Sequence, residues 1–242
     1  MKNERLSRTE LLIGEDGISR LQRARVAVFG IGGVGGYAAE ALARSGIGHF
    51  LLVDHDVVSV SNLNRQIIAL QSTVGRYKTQ VMKERIQDIC PGIQVETREC
   101  FFLPEHQDSF AFENYDYVVD AIDTVSAKLS LAKCCEQAKT PLISAMGAGN
   151  RMDPAALQVT DIYETKGCPL ARVMRRELRK RGIGNLKVVC SKEEAMTPGW
   201  QICPQGSKKV TPGSMVFVPG AAGLLLASEV VRDLLQDIKK QG

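Results

Sequence analysis

Residues 26–66 read VAVFGIGGVGGYAAEALARSGIGHFLLVDHDVVSVSNLNRQ, and the fold is decided there. The stretch opens on a short apolar run, 26–29, of the kind a buried parallel strand requires. Gly30, Gly32, Gly33 and Gly35 follow. Residues 37–44 are rich in Ala and Leu and read as a helix, and a second apolar run, 50–53, ends at Asp54. Strand, glycine turn, helix, strand and then an acid about 20 residues on is the pattern of a nucleotide-binding βαβ unit. Gly30 permits a sharp reversal, Gly32 or Gly33 a close approach of backbone to phosphate, and Gly35 tight packing of helix on strand. The helix N-terminus offers amide donors to an anion, and Asp54 can accept from ribose hydroxyls.

The residues after Asp54 argue against a plain dinucleotide site. Asp54, Asp56, Ser61, Asn62, Asn64, Arg65 and Gln66 form a dense polar cluster, and Lys78 follows. A dinucleotide needs no Arg and Lys at this place, whereas the β and γ charges of a triphosphate do.

The expected element order continues outward. Residues 6–21 read as a helix capped by Ser7 and broken at Gly14 and Gly17. Residues 79–89 form an amphipathic helix stopped by Pro91 and Gly92, and 93–96 a strand. A polar helix is expected near 105–112. The buried strand 117–120 runs into Asp120-Ala-Ile-Asp123-Thr124. Helix 126–138 and strand 141–144 come next, then strands 159–162 and 186–190, a long loop 191–209, a last strand 215–218 and a C-terminal helix 220–235. The fold class is therefore α/β, a Rossmann-like open and mainly parallel sheet with helices on both faces and an added C-terminal strand and helix. Ligands in such sheets sit beyond the carboxyl ends of the strands, so Gly30–Gly35, Asp54 and 120–123 are expected to face one crevice. Asp123 suits Mg²⁺ bridging triphosphate oxygens; a helix N-cap is its other reading.

Residues 169–181 place Arg172, Arg175, Arg176, Arg179, Lys180 and Arg181 around a helix with Glu177 as its single acid. Solvated helix faces usually alternate sign, so this one points to a phosphate-rich partner. The whole chain has 242 residues, 44% hydrophobic and 24% charged, and a net charge of +4. That composition fits one substantial domain, with 1–150 as a nucleotide-binding half and 151–242 as a half facing the substrate and a dimer partner. The polar N-terminus and the absence of a convincing span lead to a cytoplasmic expectation. Seven cysteines without a CxxC pair speak against a disulfide framework or a four-cysteine zinc site. Cys190 and Cys203 flank the long loop and are candidate thiols, with buried packing as the more ordinary role.

GIGGVG (30–35), DHDVVSVSNLNRQ (54–66), GRYK (75–78) and DAIDT (120–124) together resemble the ubiquitin-activating-enzyme-like superfamily of ATP-dependent adenylating enzymes. Within it, RLSRTELLIG (5–14), MGAGNRMDP (146–154), the basic helix and GSMVFVPGAAGLLLASEVV (213–231) resemble the branch that cyclises N6-threonylcarbamoyladenosine in tRNA. The resemblance implies a phosphate turn at Gly33, a ribose contact at Asp54, and phosphate contacts from Ser61, Asn62, Asn64, Arg65 and Lys78. It implies Mg²⁺ at Asp123, and a homodimer in which Arg8 reaches the neighbouring ATP. Thr124 stands where many members carry Asn, and Cys168 where Asp is expected. The implied reaction adenylates the threonyl carboxylate, and the carbamoyl oxygen then closes an oxazolone ring with loss of AMP; a sulfur-transfer or redox partner is left open. Adenylation of a ubiquitin-like sulfur carrier is the alternative, and an NAD-dependent oxidoreductase a distant third.

Overall fold

The computed structural model describes residues 4–199 and 211–236. The apolar runs become β1 (Arg25–Phe29), β2 (His49–Val53), β3 (Gln94–Arg98), β4 (Tyr117–Asp120), β5 (Leu142–Ala145), β6 (Leu157–Asp161) and β7 (Lys187–Ser191). They form a seven-stranded sheet in the order β3-β2-β1-β4-β5-β7-β6, parallel except where β6 pairs with β7.

Strand periodicity divides each run between two layers. Val26 and Val28 of β1 belong to a core built with α1 (Ser7–Arg23), α2 (Gly35–Ser45), α3 (Lys78–Ile89) and α6 (Phe217–Leu234). Ala27 and Phe29 belong to a second core on the other face, with α4 (Val125–Ala138). α5 (Pro169–Lys180) closes a third cluster, in which Met174 and Leu178 meet Leu129 of α4 and Val188 of β7. Helices thus cover both faces, as the sequence implies. The strand order reverses between β1 and β4, and a crevice opens at the carboxyl ends of strands at such a point.

Four local expectations change. Residues 215–218 are not a strand: α6 starts at Phe217, and Pro219 sits in its first turn, where a missing amide hydrogen costs nothing. The β-branched and aromatic side chains of that segment favour a strand by local propensity, but Met215 and Phe217 are exposed, Val218 is buried, and α6 packs onto α2 further along its length. Gly223 makes that packing possible, since a Cβ there would stand 2.3 Å from the Val34 carbonyl oxygen. In α1, Gly14 does kink the helix with φ 71, but Gly17 stays helical and buried. Ser7 does not cap; its hydroxyl donates to the Glu4 carbonyl at 2.9 Å.

Instead of a helix over 105–112 there are 3-10 turns at Pro104–Ser109 and Phe112–Asn114. The cause is aromatic. Phe110 and Phe112 both pack against Phe29, with ring centroids 5.4 and 6.0 Å away. An α-helix would send residues two apart to nearly opposite sides, while a more extended chain sends them the same way.

Asp120 also departs from expectation. Its carboxylate turns inward and accepts from Lys128 Nζ at 2.9 Å and Ser144 Oγ at 2.5 Å, and Lys128 donates further to the Ala145 carbonyl at 2.8 Å. Both charged residues are 1% exposed. The group ties β4, α4 and β5 together beneath the crevice and does not line it. Lys128→Met should therefore lower unfolding free energy by about 3–5 kcal/mol in urea titration, the size of a buried charge losing its partner. Adding Asp120→Leu should recover part of that loss.

Candidate functional site

The crevice at the switch point has a volume of about 510 Å³. Its floor is the turn after β1. Gly30 has φ 88, and a Cβ on it would stand 2.6 Å from the Ala121 carbonyl oxygen; one on Gly35 would overlap the Gly30 carbonyl oxygen at 1.8 Å. These two glycines let the chain fold back on itself. Gly32 and Gly33 line the crevice, and beside Gly32 the nearest atom to an added Cβ is 3.8 Å away. The first turn of α2 follows with no side-chain cap on its amides. A backbone surface of this kind accommodates an anion with no side chain in the way.

The end of β2 supplies one wall. Asp54 Oδ2 accepts from the Ile31 amide at 2.6 Å and Oδ1 from the Asp56 amide at 2.8 Å, which fixes the carboxylate against the glycine turn. Lys78, at the start of α3 and 5% exposed, donates to Asp56 Oδ2 at 2.6 Å. His55 Nε2 lies 2.9 Å from Asp56 Oδ1, and its ring stacks on Phe101. The ligand atoms of Asp54, His55 and Asp56 lie within 4.8 Å of one another.

Residues 59–66 supply the opposite lip. Asn62 is buried, lines the crevice, and has its Oδ1 held by the Ser59 amide at 3.0 Å. Ser61 is exposed and hydrogen-bonds Ser59 at 2.9 Å, and its side chain is not part of the crevice wall. Asn64 donates to the Ser214 carbonyl at 2.9 Å and so anchors the chain before α6. Arg65 lines the crevice with Nη1 braced by the Ser61 carbonyl at 2.9 Å and by Asn64 Oδ1 at 3.0 Å. Gln66 also lines it, and its Oε1 is buried with no hydrogen-bond partner among the described residues.

Asp123 and Thr124 close the site from the β4–α4 link, both exposed. The N-cap of α4 is Thr124, not Asp123. Among the described residues Asp123 has a single hydrogen bond, accepted from Thr124 Oγ1 at 3.3 Å. Arg8 is elsewhere: it is exposed on the first turn of α1, beside Leu11 and Glu15, and does not reach this crevice.

Sequence reasoning passed over His55, Phe101, Gly149 and Pro212 as lining residues and gave Gln66 no role. His55 and Gln66 lie inside the motif and carried a signal. Phe101, Gly149 and Pro212 come from loops that only the fold brings in. Among the described cysteines Cys100 lines the crevice, and burial pushes its thiol up from the usual range, the wrong direction for a nucleophile. Cys190 is buried away from it, and Cys203 lies outside the described residues.

On α5 the charges are partly spent. Arg175 donates to the Thr165 carbonyl at 2.9 Å and to its hydroxyl. Arg176, Lys180 and Arg181 converge on Glu177, Lys180 first among the causes that hold its carboxyl down at about 2. Arg179 covers the Tyr163 ring, 5.0 Å from its centroid, and Arg172 is exposed.

A glycine cradle, a fixed acid, two cations and an exposed carboxylate thus share one crevice, and a model of the ThiF family matches residues 6–241. The chain belongs to the ThiF family. It is 44% identical to the tRNA threonylcarbamoyladenosine dehydratase of Bacillus subtilis (strain 168), over 96% of this chain and 95% of that protein. The crystal structure of E. coli tRNA N6-threonylcarbamoyladenosine dehydratase, TcdA, in complex with ATP matches with a TM-score of 0.88 and 36% identity, covering 99% of this chain and 97% of that one. The molybdopterin-synthase adenylyltransferase of Escherichia coli (strain K12) is 34% identical over 66% of this chain and 62% of that protein. Among the described residues of this ThiF-family chain, no helix is long and apolar enough to cross a membrane.

Proposed function

We propose that this chain uses ATP to dehydrate N6-threonylcarbamoyladenosine in tRNA. The observation that carries the reading is the crevice itself: glycine cradle, Arg65, Lys78 and an uncommitted Asp123 in one site, in a chain so similar along its whole length to named dehydratases.

The cradle of Gly30, Gly32, Gly33 and Gly35 takes the phosphates, and Asp54 takes the ribose. Arg65 and Lys78 neutralise charge that builds on pyrophosphate as the threonyl carboxylate attacks the α-phosphorus. The carboxylate oxygen forms the new P–O bond, and the bond to pyrophosphate breaks. The carbamoyl oxygen then attacks the activated carbonyl carbon and closes a five-membered ring, as the bond to AMP breaks and the nitrogen between the two carbons releases its proton. This second step is intramolecular and gains from proximity, so it needs no enzyme nucleophile. Asn62 and Asn64 act by shaping the lip, with Ser61 behind Arg65, and Asp56 acts by orienting Lys78. Thr124 braces Asp123.

The donor set fits Mg²⁺ at Asp123. Both oxygens of Asp54 already accept amides and Asp56 is paired with Lys78, whereas Asp123 is exposed and, among the described residues, engaged only by Thr124. Magnesium there supplies charge neutralisation to triphosphate oxygens.

The 1–150 half holds most of the nucleotide site, and the 151–242 half adds Pro212 and Ser214 to its wall and carries the tRNA-facing helix. A homodimer completes the site, with Arg8 of one copy directed to the ATP of the other; its exposure on α1, remote from its own crevice, supports this. The exposed arginines of α5 favour tRNA over a small sulfur-carrier protein as the carboxylate donor. A cytoplasmic setting follows from that substrate.

Incubating tRNA that carries the modified adenosine with the protein, ATP and Mg²⁺ should yield a nucleoside lighter by one water on mass spectrometry. A nucleoside of unchanged mass, with a carrier protein adenylated instead, rejects the reading.

A further inference from the structure

Gln66 is 7% exposed and lines the crevice. Its backbone is fixed from both sides: the amide donates to the Asn62 carbonyl at 2.9 Å, and the carbonyl accepts from the Ala69 amide at 3.0 Å. Ile68, two residues on, is buried in the core shared with α2. The side chain is therefore delivered to a definite place. Its Nε2 is the nearest atom to the open face of Gly32, 3.8 Å from where a Cβ would project.

The carboxamide itself is uncommitted. Among the described residues neither Oε1, which is buried, nor Nε2 has a hydrogen-bond partner. The other polar groups nearby are engaged: Arg65 is braced by Ser61 and Asn64, Lys78 by Asp56, and Asp54 by two amides. A buried amide without partners destabilises a fold, and where one is kept in a crevice it is reserved for a ligand.

Its position names the ligand atoms. Asp54 Oδ2 accepts from the amide of Ile31, the residue before Gly32, so the ribose site and the glycine turn adjoin. The phosphate joined to the ribose is the α-phosphate, and it is the first to come to Gly32. The β- and γ-phosphates carry the larger charge and suit Arg65 and Lys78. A neutral donor suits the α-position, because the attacking group is itself a carboxylate. A guanidinium there would hold the nucleophile in an ion pair, whereas an amide N–H draws charge from the phosphoryl oxygen and leaves the nucleophile free.

We propose that Gln66 is a further catalytic residue of the adenylation step, its Nε2 donating to a non-bridging oxygen of the α-phosphoryl group as the carboxylate attacks. The bond from the carboxylate oxygen to phosphorus forms and the bond to pyrophosphate breaks. No proton moves, so the side chain needs no acid or base function. The hydrogen bond strengthens as charge gathers on the non-bridging oxygens of a phosphorus with five oxygen neighbours. Between turnovers the same amide stands unpaired, at a cost in stability.

The proposal rests on the crevice being the ATP site, and its test separates the two. Gln66→Met keeps the length of the side chain and removes both polar atoms. With tRNA carrying the modified adenosine as carboxylate donor, the kcat of ATP–pyrophosphate exchange should fall about a hundredfold. The Kd for ATP, read by titration calorimetry, should hardly change, and the urea midpoint should stay level or rise, because a buried acceptor without a donor has gone. Gln66→Glu should lose ATP binding and exchange at neutral pH. Relative to the unaltered protein it should regain exchange as pH falls, since a protonated carboxyl donates where a carboxylate repels. A Met variant that fails to fold, or unfolds in less urea, shows that the amide serves the fold and overturns the proposal. A folded Met variant that exchanges at the unaltered rate does the same. So does one whose Kd for ATP rises by the whole factor lost in exchange, and so does a Glu variant with no recovery in acid. In each of these cases exchange by the unaltered protein leaves the functional reading standing; failure of the unaltered protein to bind ATP rejects both.

Discussion

Asp123→Asn should reduce ATP–pyrophosphate exchange by roughly a hundred- to a thousand-fold, and Arg65→Ala by a similar factor, the usual cost of one group that stabilises charge in the transition state. Both sites suit the experiment structurally. Asparagine keeps the shape of Asp123 and its one contact with Thr124 while removing the charge. Arg65 is half-buried and braced by Ser61 and Asn64, so truncating it opens no core cavity. Lys78 is a poorer probe: it is 5% exposed and paired with Asp56, so its removal mixes lost catalysis with an unpaired carboxylate. If the two residues serve one triphosphate, the double variant should lose less than the product of the single losses. Unchanged exchange in either single variant rejects the role assigned to that residue.

What the sequence revealed and what it hid separate along a physical line. Elements whose side chains answer to local periodicity were legible: β1, β2 and β4 as apolar runs, α5 as a two-faced helix, the glycine turn between β1 and α2. Groups whose direction depends on tertiary partners were not. Asp120 opens the segment that carries Asp123 three residues later, yet one turns inward to Lys128 and the other lies exposed in the crevice. Nothing in the segment DAIDT distinguishes them, because Lys128 and Ser144 arrive from α4 and β5. The segment 105–112 reads as helical from its polarity, and the demand that Phe110 and Phe112 both reach Phe29 overrides that. At 215–218 a local β preference likewise gives way, here to the helix that starts at Phe217. The crevice wall of Phe101, Gly149 and Pro212 is assembled from three loops and has no contiguous signature at all.

The charge face of α5 supplies the other large effect. Arg172→Glu, Arg176→Glu and Arg179→Glu together should weaken tRNA binding by at least about a hundredfold at moderate salt, with ATP binding unchanged. The choice follows from the side-chain contacts. Arg175 is drawn into Thr165 and belongs to the scaffold, so reversing it would disturb the helix base rather than a binding face. Arg172 and Arg176 are exposed, and Arg179 is exposed over the Tyr163 ring, a cation–π contact that does not consume its hydrogen-bond donors. Lys180 and Arg181 remain on Glu177, so the local fold of the C-terminal turn is preserved. If the face works through phosphates, the salt dependence of binding must flatten as well as weaken, by about two to three counterions for the three residues. A uniform loss across tRNA species fits that mechanism, since phosphate contacts carry no sequence information. Binding that survives the triple change with its salt slope intact places the tRNA elsewhere on the molecule and removes the argument that favours it over a carrier protein.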